Sequence, residues 1–149
     1  MKRILIAASI ALIAGSAWAQ KTGNRSFDQL DANSDGFLTR GEVAGNKELA
    51  KRFEKFDANK DGKWSVDEFV KANKDNDERV LADSALTTKV KTALLTEKGV
   101  PSTSISVTTY ESEVMLSGFV ESAAIKEKAG KVAAGVSGVK KVQNNLSVR

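Results

Sequence analysis

The chain opens on an apolar run, Ile4 to Ala14, broken only by Ser9, and then changes period several times. Leu49, Phe53 and Phe56 recur at i, i+4 and i+7 behind Asn46, a residue suited to cap a helix, so an amphipathic helix is predicted there. Val66, Phe69 and Val70 predict a second apolar helical face. Both stand beside polar segments rich in Asp, Asn and Gly, so the first half reads as short helices flanking polar loops. In the second half, Leu86, Val90, Ala93 and Leu94 form the stripe of a helix that Asp83 or Ser84 would cap and that Gly99 and Pro101 would end. Ile105 and Val107 alternate with polar neighbours, and Val114, Leu116, Gly118 and Val120 alternate with Met115, Ser117 and Phe119. A polar turn at Glu111-Ser112 between them makes a β-hairpin. Ile125, Ala129, Val132, Ala133 and Val136 share one helical face, stopped by Gly138, and Val142, Leu146 and Val148 mark a last strand. The predicted class is α+β: an all-α N-terminal part followed by a small αββαβ sandwich.

The opening run has the three-part layout of a secretory signal peptide. Lys2 and Arg3 give a positive start, the apolar stretch follows, and Ala17-Trp18-Ala19 places small residues where signal peptidase reads. Residues 1–19 are therefore assigned as a signal peptide cleaved after Ala19, with the processed chain periplasmic or secreted. The run falls well short of the ~20 residues a bilayer core requires, and no later segment is apolar enough to span one. Cysteine is absent, which removes disulfides and a lipid-modified N-terminal Cys. Histidine is absent too, which removes the usual zinc sites and the commonest general base, so an enzyme is not expected. Lys and Arg outnumber Asp and Glu by 23 to 19, Lys2 and Arg3 included. An excess that small gives no reason to expect a nucleic-acid partner.

The two polar loops of the first half are copies of one another. Leu30-Asp31-Ala32-Asn33-Ser34-Asp35-Gly36 aligns in register with Phe56-Asp57-Ala58-Asn59-Lys60-Asp61-Gly62, the mark of a repeated supersecondary unit. Asp31, Asn33, Asp35, Gly36, Thr39 and Glu42 stand at positions 1, 3, 5, 6, 9 and 12 of a calcium-binding loop. Asp57, Asn59, Asp61, Gly62, Ser65 and Glu68 repeat the set. Calcium is a hard cation that takes six to eight oxygens at about 2.3–2.6 Å, so one chain must curl around it with alternate side chains pointing inward. Glycine permits the sharp turn, the carbonyl of Phe37 or Lys63 adds an oxygen, the final Glu can supply two, and Thr39 and Ser65 act through water. Three carboxylates in each loop would repel one another without a counter-ion. A third copy beginning at Lys71 is rejected, because Lys71, Asn76 and Ala82 stand where Asp, Gly and Glu are needed.

Residues 26–73 thus resemble the EF-hand family, and the short distance between the loops is similar to the compact paired EF-hands of bacterial exported proteins. The resemblance implies two calcium ions held in loops that lie side by side, with Leu38 and Trp64 meeting at their centre. EF-hand sensors open a methionine-rich groove for a target helix. This module holds no methionine, so a structural or buffering role is expected rather than a switch.

The polar stretch that follows, assigned as a linker over 74–82, leads to a second module over 83–149. Val114-Met115-Leu116-Ser117-Gly118-Phe119-Val120 and Gly138-Val139-Lys140-Lys141-Val142-Gln143-Asn144, with the order of elements, resemble a BON domain. That family often carries an Asn-Gly-like pair at the hairpin where this chain has Glu111-Ser112-Glu113, so a longer or differently shaped turn is expected. Gly118 within a strand is read as a bulge or a close backbone approach. The resemblance implies an interaction module for phospholipid surfaces or other envelope components. Lys126, Lys128, Lys131, Lys140 and Lys141 could meet anionic headgroups at about 1 kcal/mol each, or form an ordinary solvated face diluted by Glu121 and Glu127. The expected function is that of a calcium-binding, non-enzymatic periplasmic or envelope protein attached to phospholipid or envelope components. The alternative is a calcium-stabilised protein–protein adaptor with no lipid contact.

Overall fold

The computed structural model describes residues 22–149; the signal-peptide assignment lies outside them. The chain divides between Val70 and Lys71 into two compact units.

The first unit begins with helix α1, Arg25–Leu30, whose N-terminus is capped by the Asn24 side chain accepting from Phe27 N–H. A two-residue strand β1, Leu38–Thr39, leads into the single turn α2, Arg40–Val43. Helix α3, Lys47–Phe56, starts where the sequence places it: the Asn46 side chain accepts from the N–H groups of Glu48 and Leu49. Strand β2, Lys63–Trp64, then pairs antiparallel with β1, setting Leu38 opposite Trp64. The core collects around this ladder. Phe27, Leu38, Val43, Trp64 and Phe69 are buried, the Trp64 ring stacks on Phe53 at 4.9 Å, and Phe27 meets Phe69 edge-on at 5.5 Å. The indole N–H, which has no access to water, donates to the Phe53 carbonyl at 3.0 Å. Burying an aromatic or leucine side chain is worth about 1.5–3 kcal/mol, so a unit this small depends on these few rings.

Helix α4 departs from expectation. It runs unbroken over Val66–Thr96, so the stretch 74–82 is helical throughout and Asp83 and Ser84 cap nothing. The residues explain it: from Val66 to Thr96 there is neither Gly nor Pro to stop a helix. Charged pairs one turn apart, Lys74–Glu78 at 3.8 Å and Arg79–Asp83 at 3.0 Å, support it along its length. Val70, expected on the buried face with Phe69, is exposed.

The second unit takes the remainder of α4, a 3₁₀ turn Ser102–Ser104, strands β3 (Ile105–Tyr110) and β4 (Glu113–Val120), helix α5 (Ala123–Ala134) and strand β5 (Lys141–Val148). The sheet order is β3-β4-β5, with β3 and β4 antiparallel and β4 and β5 parallel across the α5 connection. Period-two alternation sends Ile105, Val107, Val114, Leu116 and Val120 into one core with Val90 and Leu94 of α4 and Ala129 and Ala133 of α5. At Gly118, φ is +123°, and a Cβ would come within 2.1 Å of the Ser104 carbonyl oxygen. The pairing Ile105 to Gly118 and Ser106 to Ser117 continues without interruption, so the glycine serves close approach and not a bulge.

The hairpin turn is shorter than the sequence suggests. Tyr110 pairs with Glu113, and the two residues between them, Glu111 and Ser112, have φ of 51° and 65°. This is the two-residue turn with both central residues left-handed that Asn-Gly favours, built from residues that adopt it reluctantly. Its support comes from Asp83, 6% exposed, whose two carboxylate oxygens each accept one turn N–H, Glu111 and Ser112, at 2.9 Å. No helix among the described residues is long and apolar enough to cross a membrane.

Candidate metal centres

The loop before α2 is wound by its own acidic side chains. Asp35 N–H is shared by Asp31 Oδ1 at 3.2 Å and Asn33 Oδ1 at 2.9 Å, which brings the side chains of the first and third loop positions to one hydrogen. Asp31 Oδ2 accepts from Gly36 N–H at 2.9 Å, and Asp35 Oδ1 from Phe37 N–H at 2.9 Å. The second loop repeats each contact. Asp61 N–H is shared by Asp57 Oδ1 at 3.2 Å and Asn59 Oδ1 at 3.1 Å, Asp57 Oδ2 accepts from Gly62 N–H at 3.0 Å, and Asp61 Oδ1 from Lys63 N–H at 2.8 Å. Gly36 and Gly62 have φ of +81° and +78°, where a side chain would be strained.

Each loop is closed by its last residue. Glu42 Oε1 accepts from Ala32 N–H at 3.0 Å, while Oε2 accepts from Thr39 N–H at 2.8 Å and its hydroxyl at 2.7 Å. Glu68 does the same with Ala58 N–H at 2.9 Å and with Ser65 N–H and hydroxyl at 2.8 Å. The Thr39 and Ser65 hydroxyl oxygens in turn accept from Glu42 and Glu68 N–H. The Glu that ends the loop is thus also the third residue of the following helix, and one carboxylate both closes the loop and caps the helix. Burial pushes the Glu42 carboxyl up, but bonds from Thr39, Asn33 and Ala32 outweigh it and hold it below the usual range. Glu68 is lowered in the same way, burial being outweighed by bonds from Ser65, Ala58 and Asn59. For Asp35 the Phe37 N–H is the largest cause of a lowered value, opposed by burial and assisted by Lys63 and Asn33.

The donor set is suited to a hard cation: side-chain oxygens of Asp31, Asn33, Asp35 and Glu42, or Asp57, Asn59, Asp61 and Glu68, the carbonyls of Phe37 and Lys63, and the hydroxyls of Thr39 and Ser65. No sulfur or nitrogen ligand is present. Among the described residues, however, no three carboxylates gather closely enough to form a cation cluster as they stand. Their partners are N–H groups and the Thr39 and Ser65 hydroxyls, and the Asn33 and Asn59 amides donate to Asp35 at 3.3 Å and Asp61 at 2.8 Å.

The lysines of the second unit do not form one free patch. Lys128 pairs with Glu97 at 2.6 Å, Lys131 with Glu127 at 2.7 Å and Lys141 with Glu113 at 3.7 Å, leaving Lys126 and Lys140 outside any ion pair among the described residues. Two functions of side chains escaped the sequence reading. Asp83 supports the hairpin, and the Lys63 side chain reaches back to the first loop, where Nζ lies 3.3 Å from Asp35 Oδ2. The Arg79–Asp83 spacing of one helical turn was a visible signal for the first; nothing in the spacing signals the second.

Comparison with known proteins finds two families along the chain. Residues 25–43 and 49–71 match the EF hand family, and residues 82–149 match the BON domain. Over 67 residues the chain is 55% identical to "Osmotically-inducible protein Y" of Escherichia coli (strain K12), a match covering 45% of this chain and 33% of that protein. The chain therefore spans about a third of the length of the curated relative it matches. Neither domain family is an enzymatic one. The chain carries an EF-hand region at residues 25–71 and a BON domain at residues 82–149.

Proposed function

We propose that this is an exported, non-enzymatic protein of the periplasm or envelope that binds two calcium ions through its EF-hand loops and attaches through its BON domain to anionic phospholipid. The first ion is held by Asp31, Asn33, Asp35, the Phe37 carbonyl and Glu42, with Thr39 acting through water. The second is held by Asp57, Asn59, Asp61, the Lys63 carbonyl and Glu68, with Ser65 in the same role. The observation that carries this reading is the repetition of one loop geometry in two segments that carry the same ligand pattern.

Calcium would supply positive charge between carboxylates that otherwise repel, and so add stability to a unit with a small core. The role is structural or buffering, in keeping with a core of rings in place of a flexible methionine surface. Calorimetry on the chain from Gln20 onward is expected to register two calcium sites. No heat with calcium at about 1 mM, the weak end of extracellular modules, would remove the proposal. The BON arm is tested by sedimentation with anionic vesicles, with and without calcium. The pairing of Lys128, Lys131 and Lys141 with acidic neighbours favours a second reading, an adaptor for a protein partner. Absence of vesicle binding under both conditions would select it.

A further inference from the structure

The two loops match in their backbone bonds but differ in several side chains, one of them at position 7. Position 7 is Lys63 in the second loop and Phe37 in the first. The Lys63 main chain belongs to its own loop, where its N–H donates to Asp61 Oδ1 at 2.8 Å. Its ammonium belongs to the other: it pairs with Asp35 Oδ2 at 3.3 Å and lies 5.4 Å from the centre of the Phe37 ring. Asp35 and Phe37 are the fifth and seventh residues of the first loop, so two neighbouring groups there hold the one cation. Among the described residues no ion pair crosses in the other direction: position 7 of the first loop is Phe37, whose side chain cannot donate. Among the described residues Asp61 takes part in no ion pair, and its Oδ2 accepts only from the Asn59 amide at 2.8 Å.

We propose that Lys63 is a built-in competitor for the first calcium site, so that the loop Asp57–Glu68 fills before the loop Asp31–Glu42. The inference rests on the calcium reading above and adds the order of filling. A calcium ion entering the first loop must draw on Asp35, and the Lys63 ammonium must leave that carboxylate or remain beside a divalent cation. Both alternatives weaken the first site relative to the second. The pair is partly exposed, with side chains 45% and 33% accessible, so its strength is modest and screened by salt. An ordinary surface charge interaction, enlarged by the double charge of calcium, corresponds to a difference between sites of about tenfold. Because a filled second loop fixes the main chain of the residue whose side chain obstructs the first, the two sites are connected through a single residue.

Each site has its own reporter, since Gly36 and Gly62 N–H each donate to the first aspartate of their own loop. In a calcium titration of the full processed chain followed by amide resonances, Gly62 is expected to saturate first and Gly36 at about tenfold more calcium. Lys63→Gln, which removes the ammonium and keeps the main-chain carbonyl assigned to the second site, is expected to move the Gly36 midpoint about tenfold lower, well beyond any movement of the Gly62 midpoint. Lys63→Arg, which keeps the charge, is expected to preserve the order of the parent. Raising salt should narrow the gap in the parent and leave it unchanged in Lys63→Gln. Gly36 responding first in the parent, or an unmoved Gly36 midpoint in Lys63→Gln, would overturn the proposal while leaving calcium binding intact. Silence at both glycines with calcium at about 10 mM, beyond the weakest extracellular sites, would remove the calcium reading and this inference with it.

Discussion

Replacing Asp83 by alanine offers the sharpest test of how the second unit is held together. The side chain is 8% exposed and its carboxylate takes three bonds: the Glu111 and Ser112 N–H groups at 2.9 Å each and Arg79 at 3.0 Å. A hydrogen bond to a charged group contributes about 1.5–3 kcal/mol. Left-handed backbone at a residue other than glycine costs about 1–2 kcal/mol, and Glu111 and Ser112 both carry that cost. Breaking a buried ion pair by removing one partner costs about 3–5 kcal/mol. These contributions overlap, so Asp83→Ala is expected to destabilise the unit by about 3–5 kcal/mol. At about 4–8 °C per kcal/mol for a unit of this size, the midpoint should fall by roughly 12 °C or more. Thermal unfolding followed by circular dichroism measures the loss, and hydrogen exchange at the Glu111 and Ser112 amides locates it. Installing Asn-Gly at the turn, Glu111→Asn with Ser112→Gly, relieves the backbone strain and should recover about 1–2 kcal/mol in the Asp83→Ala background. A loss below about 1 kcal/mol in the single variant would refute the argument, because it would mean that the turn needs no support.

Further outcomes follow from the loops and the sheet. Glu68→Gln removes a charge that closes the second loop and is expected to abolish the second calcium event in calorimetry and reduce the calcium response of Trp64 fluorescence, whereas Lys140→Gln should leave both unchanged. Glu42 and Glu68 titrate below their ordinary value of about 4.5, so their bonds stabilise the fold fully above it, and that stability is lost as pH falls through the lowered folded values. Melting curves in the presence of chelator should therefore be flat above about pH 5 and fall below it, more steeply for the parent than for Glu42→Gln. Gly118→Ala would force a methyl group to within 2.1 Å of the Ser104 carbonyl at a φ of +123°, and a loss of about 3 kcal/mol or more is expected in denaturant unfolding.

The amino-acid sequence by itself carried much of what depends on local spacing. The helix start at Asn46 follows from one side chain reaching N–H groups a turn away, and the alternation in β3 and β4 follows from the two-residue period of a strand. The loop repeat was equally legible, since a hard cation dictates the type and interval of residues within twelve positions. What lay beyond the sequence depends on residues far apart along the chain. Asp83 reads as a helix cap when only its neighbours are considered; folding sets it against a turn at residues 111 and 112, where two N–H groups need an acceptor. Lys63 reads only as the donor of a loop carbonyl until the Leu38–Trp64 pairing brings the loops side by side and its ammonium to Asp35. The continuity of α4 was also decided by context: a polar stretch lacking Gly and Pro can be loop or helix, and it stays helical where its charges pair along the helix. Local chemistry is written at intervals of a few residues, whereas these three outcomes rest on tertiary contacts or on helix pairs that intervals alone do not select.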